Sequence, residues 1–234
     1  MNPSLKQRRA RDNILSRLRA APQSRQEAVP DVPAYYRDAP AAAATGSRAE
    51  RFIEQATYWH AQVVETTVDA WPDAVLKVAQ DKQLRRILVG RHSPVGEALS
   101  RVLPRDWTTW YQGDWSQCKP QLFDEVDAGI TSTVAGIART GSLVLWPGAA
   151  EPRTLSLVPP IHIAVLFASC LHETWLDAAT AGNWSERMPT NVVLVTGPSK
   201  TADIQRMLVY GAHGPCELVI VLVHDEPDAR RDRP

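Results

Sequence analysis

The chain has little cysteine, no net charge and no long apolar run, and each shortage excludes a class of protein. Only three of its 234 residues are cysteines, and Cys118, Cys170 and Cys216 lie far apart without a Cys-x-x-Cys spacing. On their own they cannot form a ferredoxin-type cluster or a zinc knuckle, so we expect no metal in this chain. An odd number of cysteines without a secretory signal favours reduced thiols and a cytoplasmic location.

Charge and hydropathy also limit the partners. Lys+Arg and Asp+Glu both total 26, so the net charge gives no reason to expect a nucleic-acid partner. The longest apolar run, 161–171, is too short to cross a bilayer, so we expect no membrane span. Residues 1–25 are locally basic, which we interpret as the solvated face of a helix, with a nucleic-acid or membrane arm as the alternative.

Composition divides the chain into three segments. Residues 1–48 combine a basic helix over 1–20 with an arm rich in proline and alanine. Because proline removes backbone donors, we expect no helix in that arm. Residues 49–225 are predicted to form an α/β domain, and residues 226–234 a charged tail that frays.

Short apolar strands alternate with helical patterns in the central segment. This alternation predicts an α/β fold with a mainly parallel sheet. A glycine turn at 139–141 predicts a hairpin. The expected strands are 62–66, 86–90, 130–138, 142–146 and 161–168. The expected helices begin near 48, 94 and 171, and a further helix is marked by the apolar residues of 75–79.

The segment 191–223 carries more functional groups in its loops than a plain scaffold needs. Its pattern predicts an apolar strand, a Gly-Pro-Ser-Lys-Thr loop, a short helix, a Gly-Ala-His-Gly-Pro turn and a second apolar strand. Free amides at the start of that helix, together with its dipole, would attract an anion. We therefore predict a site for a small anionic ligand, although neither a Walker A loop nor a Rossmann fingerprint is present.

Several residues near these loops are candidates for binding that ligand. Lys200 would add a movable positive charge, and Arg153 could hold a carboxylate in a bidentate pair. The structural alternative assigns Ser199 and Thr201 to helix capping and Arg153 to a surface salt bridge. The predicted ligand-binding set is Thr140, Gly141, Ser142, Arg153, Gly197, Ser199, Lys200, Thr201 and Gly214.

Two further residues are candidates for proton transfer. His213 lies between glycines that permit close backbone approach, and a loop imidazole can act as an acid, a base or an anion donor. Asp203 would support it from the first turn of the expected helix. The alternatives are an exposed or capping role for His213 and a dipole partner for Asp203. We interpret His162, inside the apolar stretch 161–165, as a hydrogen-bonded histidine of the core or of a strand edge.

Five motifs follow one another in the order and spacing of a known family. They are Gly129-Ile130-Thr131, Ala138-Arg139-Thr140-Gly141-Ser142-Leu143-Val144, Arg153 with Leu157-Val158-Pro159-Pro160-Ile161-His162-Ile163, Gly197-Pro198-Ser199-Lys200-Thr201-Ala202-Asp203-Ile204, and Gly211-Ala212-His213-Gly214-Pro215. From about residue 49 to residue 223 the chain resembles the LutC/YkgG family of lactate-utilization proteins, also called the LUD domain. The ordered set is far more specific than any one motif.

The resemblance implies a NagB/RpiA/CoA-transferase-like fold, in which an open, mostly parallel sheet lies between helices on both faces in three layers. It also implies a role in oxidising L-lactate to pyruvate together with iron–sulfur partner proteins. The clusters would belong to those partners, with no cofactor in this chain. A non-catalytic scaffold subunit, or an isomerase or CoA-transferase-like enzyme, are the alternatives, and an oligomer is compatible with all of them.

The chain departs from the family pattern at two positions. Family members commonly place an acid where this chain has Arg139, so a catalytic carboxylate at that position would be lost. A milder departure is Gln205, where glutamate is usual. We expect the ligand at the carboxyl ends of the parallel strands, where open α/β sheets bind ligands. There, 140–142 would form the wall opposite the Lys200 loop.

Overall fold

The computed structural model describes residues 5–20, 30–38, 46–111, 125–202 and 208–225. The chain divides into two compact units, residues 1–39 and 40–234. In the described ranges, no helix is both long enough and apolar enough to cross a bilayer.

The first unit contains helices α1 (Leu5–Ala20) and α2 (Val32–Asp38). The predicted basic helix is confirmed by α1. The expectation of no helix in the arm is wrong for α2, because Pro33 occupies its first turn, where the missing N–H has no intrahelical partner anyway. Asp31 starts this helix by accepting a hydrogen bond from the Ala34 amide at 2.9 Å.

The second unit alternates strands and helices along the chain. Helix α3 begins with a capping box, in which Ser47 and Glu50 satisfy each other's backbone amides. The elements, in chain order, are α3 (Arg48–Tyr58), β1 (Gln62–Thr67), α4 (Trp71–Asp81), β2 (Ile87–Gly90), α5 (Pro94–Leu99), β3 (Thr108–Tyr111), β4 (Ala128–Ser132), β5 (Ala135–Ile137), β6 (Ser142–Leu145), α6 (Thr154–Leu157), β7 (Ile161–Phe167), β8 (Leu171–His172), α7 (Trp175–Ala181), α8 (Trp184–Arg187), β9 (Val193–Val195), β10 (Lys200–Ala202), β11 (Leu208–Tyr210) and β12 (Glu217–His224).

Six strands form the central sheet in the order β1-β12-β7-β4-β2-β3, and every neighbouring pair is parallel. Strands β7 and β12 lie near its centre and are almost continuously apolar, as expected of strands buried on both faces. The predicted α/β fold with a mostly parallel sheet is confirmed.

The two faces of this sheet are covered differently. Helices α4 and α5 pack on one face, where Val75 and Leu99 are fully buried against the strands. On the other face, α3 contributes Phe52 and Ala56, and a second sheet contributes Leu143. Helices therefore lie on both faces, with an additional sheet on one of them.

The second sheet has the order β8-β5-β6-β9 and contains the predicted hairpin, since β5 and β6 pair antiparallel around residues 138–141. The predicted strand 130–138 is wrong in one respect, because it is divided between the two sheets. Thr133 ends the parallel stretch by donating from its amide and its hydroxyl to the Val165 carbonyl. The predicted helix at 171 begins at Trp175, because Thr174 and Asp177 form a capping box there.

The short helix predicted between the 197–201 loop and Gly211 is wrong at both of its described ends, because Ala202 lies in strand β10 and Leu208–Tyr210 is strand β11. Lys200–Ala202 is strand β10, which pairs antiparallel with β11 and places Thr201 opposite Val209. Both residues are β-branched, which favours an extended backbone. The amides of 199–202 are therefore not a helix N-terminus, and the helix-dipole argument for anion binding does not apply to them. Asp203, Gln205 and the predicted tail 226–234 lie outside the described residues.

Candidate functional site

Two of the predicted loops lie side by side. The Ser199 amide donates to the Pro215 carbonyl at 2.8 Å, and the Gly211 amide donates to the Ser199 carbonyl at 2.9 Å. A cavity of about 190 Å³ opens where the loops meet. Its wall includes Gly197, Ser199, His213 and Gly214 from the predicted set, together with Ser156, His162 and Thr196.

The cavity lies at the amino ends of the central parallel strands. His162 and Leu218, which both line it, are the second residues of β7 and β12, and they are register partners. The expectation that these loops meet at the carboxyl ends of the strands is wrong. The 211–216 loop leads into β12, so it must reach the sheet at the edge where that parallel strand begins.

The buried histidine of this wall was not predicted as a site residue. His162 is 1% exposed, and its Nε2 lies 2.9 Å from the Thr131 hydroxyl. Its Nδ1 is buried without a hydrogen-bond partner among the described residues, so the expectation of a fully hydrogen-bonded core histidine is wrong. Burial lowers the pKa of His162 to about 4, and the ring is therefore uncharged at neutral pH.

Lys200 lies outside this wall. Its Nζ is 5.0 Å from the centre of the Trp59 ring, a cation–π distance, and both residues line a neighbouring opening of about 340 Å³. Thr196 and Pro198 line both spaces. Whether Lys200 holds an anion therefore stays a prediction about the neighbouring opening rather than about the cavity of His162.

Thr140 and Ser142 do not line the cavity themselves but are connected by hydrogen bonds to Thr196, which does. The Thr140 and Ser142 hydroxyls are 2.7 Å apart, and the Ser142 hydroxyl is 2.7 Å from that of Thr196. Thr196 is the member of this row that lines the cavity. Gly141 has a different role, because a Cβ there would come within 2.3 Å of the Ala56 amide of α3.

The order of the motifs can now be compared with known proteins. The LUD domain family profile matches residues 49–223, which is most of the chain. The chain belongs to the LUD domain family.

Several relatives of this LUD domain protein align with it over most of their own length. An uncharacterized protein of Neisseria meningitidis serogroup B is 38% identical over 92% of this chain and 93% of its own. Lactate utilization protein C of Halalkalibacterium halodurans is 29% identical over 74% and 77%, and YkgG of Escherichia coli is 33% identical over 65% and 79%. A crystal structure of a DUF162 family protein from Deinococcus radiodurans has a TM-score of 0.56 at 22% identity, covering 76% of this chain and 99% of that one, which supports the fold alone.

The remaining predicted residues of this LUD domain are not brought into the cavity wall. Arg153 is exposed at the start of α6, where its carbonyl accepts from Ser156, and Thr201 lies in β10. Arg139 is exposed in the hairpin turn, and its amide donates to the Glu173 carbonyl. The ligand-binding roles of Arg153 and Thr201 stay predictions, as does the catalytic role of Asp203.

The described residues of the LUD domain contain no group of three or more His, Cys, Asp or Glu placed to hold a metal ion. The expectation that iron–sulfur clusters belong to partner proteins rests on the resemblance and stays a prediction.

Proposed function

We propose that this protein is a component of a lactate utilization system and binds a small anionic ligand, a short carboxylic acid, in the cavity between the 197–199 and 213–215 loops. Relatives that carry the name lactate utilization protein C support the role in lactate utilization. The observation that carries the ligand-binding part is the cavity itself, which joins the two loops to the buried ring of His162.

The size and lining of the cavity support a small polar ligand. Its volume of about 190 Å³ is smaller than the roughly 300–1,000 Å³ of sites for drug-sized molecules. Leu157, Leu194 and Leu218 supply apolar walls, while Ser199 and His213 supply polar groups at the loops. A carboxylate would lie against the loops, with its short carbon chain against the leucines.

Oxidation of L-lactate to pyruvate removes two electrons and two protons, so the system needs an electron acceptor. We place that acceptor in iron–sulfur partner proteins. His213, which is exposed beside the cavity, would accept a proton or orient the carboxylate. Asp203 as its support remains part of the proposal.

Isothermal titration calorimetry with L-lactate, pyruvate and a sugar phosphate tests this proposal. We expect the two short acids to bind and His213→Ala to weaken their binding by at least about tenfold, or 1.4 kcal/mol. The matched control is His224→Ala, because His224 is an exposed histidine at the opposite end of β12, paired with Glu65 at 2.8 Å. If neither acid binds, or if His213→Ala and His224→Ala bind the acids with equal affinity, ligand binding in this cavity is contradicted.

The second candidate is a non-catalytic scaffold for the partner proteins. Arg139, exposed where the family commonly has an acid, favours it. The scaffold predicts that the protein co-purifies with its partners and that His213→Ala leaves the lactate oxidation rate of the assembled system unchanged. A large loss of that rate with assembly intact would rule the scaffold out.

A further inference from the structure

We propose that His162 determines the specificity of this cavity by hydrogen-bonding, through Nδ1, to the oxygen on the second carbon of a bound 2-hydroxy or 2-oxo acid. The inference rests on the proposed function, because it assumes that a short carboxylic acid enters the cavity. The inference names the side chain that distinguishes a 2-hydroxy or 2-oxo acid from an acid without an oxygen on its second carbon.

The first support is the unsatisfied nitrogen. A buried polar atom without a partner costs about 1–3 kcal/mol, and folded proteins retain few of them. The His162 ring is fixed at Nε2 by Thr131, which leaves Nδ1 as the one polar atom that the ring can offer to another molecule. His162 is part of the cavity wall, and Nδ1 has almost no accessible surface, so a molecule in the cavity becomes its partner through a small shift of the ring or of the surrounding wall.

The second support is the apolar setting of the ring. Its register partner on β12 is Leu218, and the next residue on the same side of β7 is the fully buried Ala164. An apolar side chain at 162 would complete this surface but leave the buried Thr131 hydroxyl without its partner, so Thr131 accounts for Nε2. Neither packing nor Thr131 accounts for Nδ1, whereas a hydrogen bond to a ligand does.

The third support is the way in which the cavity is closed over the ring. Gly129 is the register partner of His162 on β4, and a Cβ at Gly129 would come within 2.0 Å of the Leu155 carbonyl. The missing side chain allows α6 to lie directly on the sheet. Ser156 and Leu157 of α6 then form cavity wall beside the histidine.

The chemistry of an uncharged imidazole suits both members of a hydroxy-acid and keto-acid pair. The neutral ring carries one N–H and one lone pair, and a threonine hydroxyl can donate or accept. When Nε2–H donates to Thr131, Nδ1 accepts from the hydroxyl of a 2-hydroxy acid. When Thr131 donates to Nε2, Nδ1–H donates to the carbonyl of a 2-oxo acid. The carboxylate of either acid would lie at the loops.

Nitrogen NMR of the full-length protein with ¹⁵N-labelled histidine tests the inference. The chain has six histidines, and the His162 signals are identified by their loss in His162→Gln. The probes are L-lactate, pyruvate and propionate, and propionate has no oxygen on its second carbon. We expect Nδ1 to report an unprotonated nitrogen with L-lactate and a protonated nitrogen with pyruvate. Propionate should leave the His162 signals unchanged and bind at least about tenfold more weakly.

A variant pair supplies a second readout by calorimetry. His162→Phe keeps an aromatic ring and removes both nitrogens, so the preference for L-lactate over propionate should fall from at least about tenfold to about one. The matched control is His172→Phe, a half-buried histidine of β8 outside the cavity wall, which should keep the preference. If His162→Phe does not fold, the NMR of the unaltered chain decides the question.

The outcomes separate this inference from the proposed function. Binding of all three acids with equal affinity and unchanged His162 signals would overturn the role of His162 alone. Failure of all three acids to bind would overturn both proposals together. A His162→Phe variant that folds and still prefers L-lactate would also overturn the inference.

Discussion

At the scale of single residues, His162 links the stability of the protein to pH. Its pKa is lowered by burial from 6.5 to about 4 in the folded chain. Between those values the unfolded state binds a proton that the folded state does not. As far as it depends on His162, the free energy of unfolding is therefore highest above about pH 6.5 and declines as the pH falls towards 4.

We expect the free energy of unfolding to fall by about 2 kcal/mol between pH 7 and pH 5 because of this histidine. Urea denaturation at the two pH values, compared between the unaltered chain and His162→Gln, measures the effect. The variant should show a smaller change, since glutamine does not titrate. An equal change in His162→Gln and the unaltered chain would show that His162 is not the group responsible.

At the scale of elements, the end of helix α3 determines where the loops of the site can lie. A Cβ at Gly141 would come within 2.3 Å of the Ala56 amide, and a Cβ at Gly197 within 2.1 Å of the Trp59 carbonyl. Both glycines have positive φ, at 65° and 71°. Two residues that the sequence predicted as ligand contacts are therefore required by packing against α3 as well.

Replacing Gly197 with alanine should destabilise the fold by at least about 2 kcal/mol, because it combines left-handed strain with a backbone clash. Urea denaturation of Gly197→Ala measures the loss. The control is Gly148→Ala, because a Cβ at Gly148 meets nothing within 4 Å. That change should stay within about 0.5 kcal/mol. Equal stability of the two variants would show that α3 yields to the added methyl group.

Elements with strong local signals were predictable from the sequence. The capping box at Ser47 and Glu50 starts α3 where expected, and the turn containing Gly141 joins the expected hairpin. Strand β10 was missed because its partner β11 decides its conformation. Helix α2 was missed because the prolines of the arm were taken as helix breakers, although proline is tolerated in a first turn.

The position of the site was predictable only in part. The sequence placed Gly197, Ser199, His213 and Gly214 in adjacent motifs, and the structure brings them to one cavity wall. It could not place the loops at the correct edge of the sheet. In a strand–helix–strand unit with parallel strands, the loop after the first strand lies at the carboxyl ends of the strands, and the loop before the second strand lies at their amino ends. They meet because β9 belongs to the second sheet, and that pairing depends on contacts distant in sequence.

At the scale of the whole molecule, the second unit contains a complete apolar core. The four clusters of buried apolar residues in the described part of the chain all lie between Ala49 and Val223. They include both faces of the parallel sheet and the outer face of the second sheet. The LUD domain match, 49–223, covers the same stretch.

A chain that begins at Pro40 should therefore fold without residues 1–39. We expect one cooperative thermal transition by circular dichroism, with a midpoint within about 3 °C of the full-length chain, since roughly 1 kcal/mol corresponds to 2–4 °C at this size. A chain that begins after Tyr58 is the contrasting variant, because it lacks Phe52 and Ala56 of α3, both fully buried. It should lose the cooperative transition, since the sheet face beneath α3 would be uncovered. Loss of cooperativity on removing residues 1–39 alone would show that the core between Ala49 and Val223 does not suffice for folding.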